Sequence, residues 1–344
     1  MTSAWQDFLR ERGASAEAGA VRHFGDAAGE LRATRDGGVV APLAHLGLIA
    51  CGGEDAPSFL HGQLSNDVKQ LSLERSEYAA YCSAKGRMLA NFLLWREGEI
   101  HMLELARSLL PAVQKRLGMF VLRAKVKLSD ASDARPILGL AGGAAAAALR
   151  ELFPALPQQT HGVVHDPVNG TLIALPGARF QLIAELESAQ RLWHRLSAAL
   201  RPVGAPCWEW LEIRNGLPLI GAATQEQFVP QMANMELIGA VSFQKGCYPG
   251  QEIVARTQYL GQLKRRMVLA HVAESAPLQA GDALFSPDLD AQPSGMVVNV
   301  QAAPEGGYDL LAIVQTSSIA QGALHAGSVD GPLLRIEPLP YALA

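Results

Sequence analysis

One cysteine of this chain stands in a run built to present it: Lys245-Gly246-Cys247-Tyr248-Pro249-Gly250-Gln251-Glu252, continuing as Ile253-Val254-Ala255-Arg256. A cysteine reacts as its thiolate, which a nearby cation and a helix N-terminus both stabilise. Lys245 supplies a cation. Pro249 carries the fixed φ that suits a first helical turn, and the two glycines free the backbone for a tight turn. The run predicts a functional thiol at Cys247, against the small buried hydrophobe that most free cysteines are. On the helix expected to follow, Glu252 and Arg256 stand four apart, acid before base. They form either a surface pair or a polar border to the thiol. Ile253, Thr257 and Leu260 share another face of that helix. The other cysteines, Cys51, Cys82 and Cys207, form no C-x-x-C pair, so neither a zinc knuckle nor a disulfide framework is indicated.

Other side chains have the types that hold a flat or anionic ligand. Trp208 and Trp210 are two apart, beside Glu209 and Glu212, and a tryptophan face can stack on a heterocycle. One of the pair is expected in the core. Lys264-Arg265-Arg266 is either a solvated strand edge or a site for carboxylates. His161 and His165 would make a metal pair on a helix, but Gly162, Pro167 and Gly170 turn that segment into loop. The chain carries no Walker loop, Rossmann fingerprint or nucleophile elbow.

The elements that must position these groups follow from periodicity. A helix is expected over 55–64, strands over 78–82 and 88–95 with a Lys85-Gly86 hairpin turn, and a third strand over 100–105. Helices follow at 108–121 and 144–152. A strand pair flanks Pro176-Gly177, and a helix over 188–200 has Ser188 as its cap. This order lacks the regular strand–helix alternation of a doubly wound sheet and reads as α+β. From about residue 263 the runs 268–272, 295–300 and 310–314 are β-rich and separated by Gly, Pro and Asp, the pattern of a small closed β domain.

With 344 residues, 49% of them hydrophobic, the chain can bury a large core and more than one domain. A net charge of -4 with 18% charged residues gives no polyanion-binding surface, so direct nucleic-acid contact is not expected. No apolar run reaches the roughly 18 residues of a membrane span, and the N-terminus lacks a basic-then-apolar leader. A cytoplasmic monomer is the expectation.

The cysteine run resembles the KGCY-x-GQE signature of the YgfZ family of folate-binding proteins, relatives of the glycine-cleavage T-protein, an aminomethyltransferase. Gly53-Glu54-Asp55 with Phe59-Leu60-His61-Gly62-Gln63 and Asn66-Asp67 resembles that family's N-terminal block, and Ala84-Lys85-Gly86-Arg87-Met88 its second block. Phe228-Val229-Pro230-Gln231, Ser242-Phe243 and Ile336-Glu337-Pro338-Leu339-Pro340-Tyr341 extend the likeness over nearly the whole chain. The resemblance implies a three-lobed architecture, with two interleaved α+β lobes over residues 1–262 and a small β-barrel over 263–344. It implies tetrahydrofolate bound between the lobes with Trp208 against it, and Tyr248, Gln251, Arg214 and Arg265 as further candidates for folate contact. It also implies support of iron–sulfur cluster assembly or repair in client enzymes, some of them tRNA-modifying, through the Cys247 thiol. In that reading Lys245 and Arg256 lower the thiol pKa and Glu252 borders it. Three positions depart from the relatives. Leu46 stands where a second tryptophan is found, and Arg214 where the T-protein has a glutamate. The stretch 86–93, where the T-protein carries its aspartate, offers only Asn91. Without a carboxylate there, aminomethyl transfer lacks its acid or base.

Overall fold

In the strand Ile137–Ala141 every residue is buried, and the period of two divides its side chains between two surroundings. Leu138 and Leu140 join Val40, Leu172 and Leu182 in one apolar cluster. Leu149 of the helix Gly143–Arg150 and Leu192, Trp193 and Leu196 of the helix Leu186–Ala199 close over it. Gly139 faces the other way and meets Trp208. The computed structural model describes residues 3–259, 263–273, 278–290 and 292–343. Leu260 and the boundary expected at residue 262 lie outside the described residues.

The chain forms two compact units that interleave along the sequence. The first comprises Met1–Ala56, Gln70–Glu77 and Leu93–Glu209, and the second Pro57–Lys69, Tyr78–Phe92 and Trp210–Ala344. In the first unit a six-stranded sheet runs in the order Val163–Asp166, Gly170–Leu175, Arg179–Ile183, Ile137–Ala141, Val39–Pro42, Arg201–Pro202. All neighbours are antiparallel except the last pair. Elsewhere in this unit the strand Leu46–Gly52 pairs with Ile100–Ala106 and Lys127–Asp130. The helix Leu110–Met119 buries Leu110, Val113 and Leu117 and packs on those strands. The helix expected from Ser188 starts earlier, at Leu186, with Glu185 as its uncapped N-terminal residue. Ser188 thus falls in the first turn, and its hydroxyl donates to the Val168 carbonyl instead. His165 sits on the strand Val163–Asp166, where a loop was expected, because its neighbours pair with Gly170–Leu175.

The second unit holds the strand Glu77–Cys82 from Tyr78 onward and Met88–Glu97 as far as Phe92, joined by the expected turn at Lys85-Gly86. Ser83 N–H donates to the Arg87 carbonyl and Gly86 N–H to that of Ser83, at 2.8 Å each. The C-terminal part is a closed barrel of six strands: Arg265–Val272, Tyr308–Gln315, Pro293–Ala302, Ala283–Phe285, Leu324–Ala326 and Leu333–Glu337. Val268, Ala270, Val272, Leu310, Ala312 and Val314 alternate into its interior with Val297, Leu284 and Leu324. An α+β chain of interleaved units ending in a closed barrel is the architecture the resemblance implied. Among the described residues no helix is long and apolar enough to cross a membrane.

Candidate functional site

Cys247 lies on an irregular stretch of the second unit, four residues before the helix Gln251–Tyr259, with its side chain exposed. Lys245 is buried. Its ammonium donates to the backbone carbonyls of His61 and, at 2.6 Å, of Leu64, and stands 4.9 Å from the centroid of the Tyr248 ring. Those carbonyls lie at and just beyond the end of the helix Ala56–His61, where unpaired C=O groups favour a cation. A buried ammonium requires such acceptors. Lys245 therefore ties the cysteine run to the Phe59–Asp67 stretch. The chain leading into the run is held by the same stretch. Ser65 Oγ donates to the Ala240 carbonyl at 2.6 Å, Asn66 Nδ2 to the Gly239 carbonyl at 2.8 Å, and Ser242 N–H to the Ser65 carbonyl at 3.0 Å.

The hairpin turn approaches from a third segment. Gly250 has φ +81°, and a Cβ there would come 2.5 Å from the Ser83 carbonyl oxygen and 2.6 Å from Gly86 Cα. Gly86 itself has φ +70° and lies against Ile253. Three stretches far apart in sequence thus converge beneath one thiol. His61 is part of this assembly. Its Nδ1 is 3.0 Å from Asp67 Oδ1, and its Nε2 would be 3.6 Å from a Cβ placed on Gly246. Burial, and then the charge of Lys245, hold the His61 imidazole below its ordinary pKa, with Asp67 acting against them. The other three thiols are buried, and burial pushes Cys51 and Cys82 up to about 12 and Cys207 up to about 11. They are inert at neutral pH.

A second constellation lies in the first unit, on the sheet face that carries Gly139. Gln181 pairs with Gly139 and Arg179 with Ala141, so both side chains share that face. A Cβ on Gly139 would come 2.5 Å from the Trp208 ring, and the Arg179 guanidinium stands 4.9 Å from the ring centroid. Gln181 Nε2 donates to Glu104 Oε1 at 3.1 Å. Among the polar atoms buried here without a hydrogen-bond partner are the Trp208 indole N–H and Gln181 Oε1. A buried donor and acceptor left open cost about 1–3 kcal/mol each, so a ligand that pairs with them is favoured.

Comparison with known proteins decides the family. "tRNA-modifying protein YgfZ" of Yersinia pseudotuberculosis serotype O:1b (strain IP 31758) is 34% identical over 300 residues, covering 86% of this chain and 90% of that protein. The protein of the same name from Yersinia enterocolitica serotype O:8 / biotype 1B (strain NCTC 13174 / 8081) is 33% identical over 299 residues, with the same coverage. The chain belongs to the YgfZ family. The GCVT N-terminal domain matches residues 11–164. The crystal structure of glycine cleavage system aminomethyltransferase T from Bartonella henselae superposes with a TM-score of 0.83 at 20% identity, covering 99% of this chain and 97% of that one. This chain and that transferase therefore share a fold.

The remaining candidates of this YgfZ-family chain are placed as follows. Tyr248 is buried beneath the Lys245 ammonium, and burial raises its phenol pKa. Gln251 is the first residue of its helix, with Nε2 3.5 Å from the Lys245 carbonyl. Glu252 and Arg256 are both exposed and form no ion pair with one another among the described residues. The helix packs through Val254, which is fully buried, while Ile253 on the expected face is 39% exposed. Arg214 pairs with Glu337 and, at 3.6 Å, with Asp309, which also accepts from Trp210 Nε1 at 2.8 Å. Both tryptophans are core residues, Trp208 at 1% and Trp210 at 7% exposure, so the expectation that one of the pair presents its face to a ligand is not met. Arg265 is half-buried opposite Gln315 in the barrel, while Arg266 turns to Gln231, Asn234 and Glu236. Leu46 is buried in its strand. Asn91 donates to the Pro218 carbonyl and accepts from Ile220 N–H, both at 2.8 Å. Sequence reading passed over Arg179 and Gln181, although two polar residues at i and i+2 in an otherwise apolar strand were a readable signal of a polar face.

Proposed function

We propose that this chain is a folate-binding accessory protein that supports iron–sulfur cluster assembly or repair in client enzymes, among them tRNA-modifying enzymes, with Cys247 as the working thiol. The observation that carries the reading is the selective presentation of one sulfur: three other thiols are buried, and the exposed one rests on a scaffold drawn from three distant motifs. The name of the Yersinia relatives supports the tRNA connection. A single thiol falls short of the about four cysteine ligands that hold a four-iron cluster, so the cluster is cargo, and the client or another assembly protein supplies the other ligands.

The first unit fits a folate in kind. A pterin ring both accepts and donates hydrogen bonds, and the Trp208 N–H and Gln181 Oε1 are a buried donor and acceptor without hydrogen-bond partners. Bound tetrahydrofolate would supply one-carbon chemistry. The chain's own residues provide recognition rather than proton transfer: Asn91, at the position of the T-protein's acid, has both ends of its amide engaged by backbone. Trp208→Phe keeps the ring and deletes the N–H. Tetrahydrofolate affinity in titration calorimetry should fall about 5- to 10-fold, the loss of one hydrogen bond. Unchanged affinity would remove Trp208 from the folate site.

The function itself is tested by complementation. In a bacterium lacking its own YgfZ-family gene, the wild-type chain should restore methylthio-modified tRNA, and Cys247→Ala at matched expression should not. Equal rescue by both would demote the thiol, and rescue by neither would overturn the assignment.

A further inference from the structure

The helix Leu110–Met119 of the first unit buries Leu110, Val113 and Leu117, yet the residues at its end turn apolar side chains to water. Met119 is 59% exposed and Phe120 43%. Leu122, at 88%, is the most exposed large hydrophobic side chain among the described residues. Its turn is closed by Ala124 N–H, which donates to the Val121 carbonyl at 2.8 Å. That turn holds Leu122 at φ +48°, in the left-handed region that suits glycine or asparagine. A leucine there has a strained backbone and an unburied side chain, so its use lies outside the fold. The surrounding charge is of one sign. Between Glu104 and Asp130 the sequence has no acidic residue, and Lys115, Arg116, Arg123, Lys125 and Lys127 flank the turn, in a chain whose net charge is -4. Lys115 and Arg116 precede Met119 and Phe120 by four positions, one helical turn, and so share their faces. The Arg116 guanidinium lies 5.9 Å from the Phe120 ring centroid. Lys125 pairs with Glu54 at 2.6 Å. Among the described residues, Lys115, Arg123 and Lys127 are exposed and enter no ion pair.

We propose that the Met119–Leu122 turn and its basic rim are a docking surface for a partner protein, a client enzyme that presents an apolar pocket ringed by carboxylates. This rests on the reading of the chain as an accessory protein to such enzymes. Protruding side chains of this size fill a pocket as anchors, and methionine adapts to its shape. The lysines and arginines meet the acidic rim, steer the encounter and fix its orientation. A nucleic acid fits this surface less well. Phe120 is the one ring of the turn that can stack on a base, and the net negative charge of the chain opposes a polyanion. A bilayer also fits less well. The apolar face of the helix is turned into the core of the unit, which leaves no amphipathic face to lie on lipid.

The test replaces Leu122 by photo-reactive benzoylphenylalanine in the full chain, expressed in the bacterium used for complementation, and maps the adducts by mass spectrometry. The probe should join a protein at a peptide rich in Asp and Glu. Lys115→Glu, Arg123→Glu and Lys127→Glu together should lower the yield about tenfold, because attraction becomes repulsion. No protein adduct, a yield that the charge reversal leaves unchanged, or adducts with lipid or tRNA alone would overturn the proposal. A second variant separates docking from folding. Asparagine tolerates the left-handed turn, so Leu122→Asn should melt at or above the wild-type temperature. Its restoration of methylthio-modified tRNA at matched expression should nevertheless fall about fivefold or more, the loss of one anchor. Full rescue by Leu122→Asn would overturn the docking surface, and a lowered melting temperature that accounts for lost rescue would make Leu122 structural and overturn it equally. If the wild-type chain restores nothing, the proposed function fails, and the charge-dependent adduct still decides the docking surface.

Discussion

Lys245→Met will destabilise the protein by about 2–4 kcal/mol, because it strips the donor from two buried carbonyls. Methionine matches the length of the lysine stem and keeps its packing over Tyr248, so the substitution isolates the ammonium. His61 O and Leu64 O lose a charge-assisted partner. The unfavourable desolvation of the lysine is removed at the same time, which keeps the net cost below that of stranding a charge. The drop in Tm should be about 3–6 °C, measured by calorimetry or circular dichroism. A variant that melts within a degree of wild type would show that these hydrogen bonds contribute nothing net. The loop should also loosen locally, so the amides of 245–248 should exchange faster well below the melting transition.

Gly250→Ala should be costlier, on the order of 3–5 kcal/mol, from two independent causes. At φ +81° an L-residue is in the left-handed region, which costs roughly 1–2 kcal/mol by itself. The new Cβ would also sit 2.5 Å from Ser83 O, 2.6 Å from Gly86 Cα and 2.7 Å from Gly86 N. All three are backbone atoms, which yield only if the hairpin turn moves away from the helix that follows Cys247. Gly86→Ala meets the same interface from the other side, at φ +70° and 2.9 Å from Ile253 Cβ. Because one displacement of the turn relieves both, the double variant should lose less than the sum of the two singles. Denaturant unfolding of the four proteins measures this. Full additivity would mean that the two glycines act separately, contrary to their contact.

Much of the scaffold was legible in the chain because it is local. The hairpin at Lys85-Gly86, the alternating strands of the barrel and the helix after Pro249 each follow from residues within a few positions of one another. The helix register was less legible. Ile253, Thr257 and Leu260 were read as sharing one face, yet Val254 is the residue that is buried. What packs on a short helix is decided by the partner surface, here Gln231, whose side-chain amide donates to the Val254 carbonyl. Ser188 shows the same limit. Its type suits a cap, but the helix began a turn earlier and left it on the wrong position.

The sequence by itself determined the family, the α+β class with its closing barrel, and the singular character of Cys247, since those rest on residue types and short-range spacing. The tertiary structure alone decided what each charge near the thiol does. Lys245 is two positions from Cys247 in sequence, but its carbonyl partners His61 and Leu64 lie 184 and 181 positions away. A buried ammonium goes to the strongest acceptors within reach, and a helix end had left carbonyls open there. His61 and the Gly86–Gly250 contact were invisible for the same reason: their meaning is a distance between chain segments, which composition and periodicity along one segment do not contain.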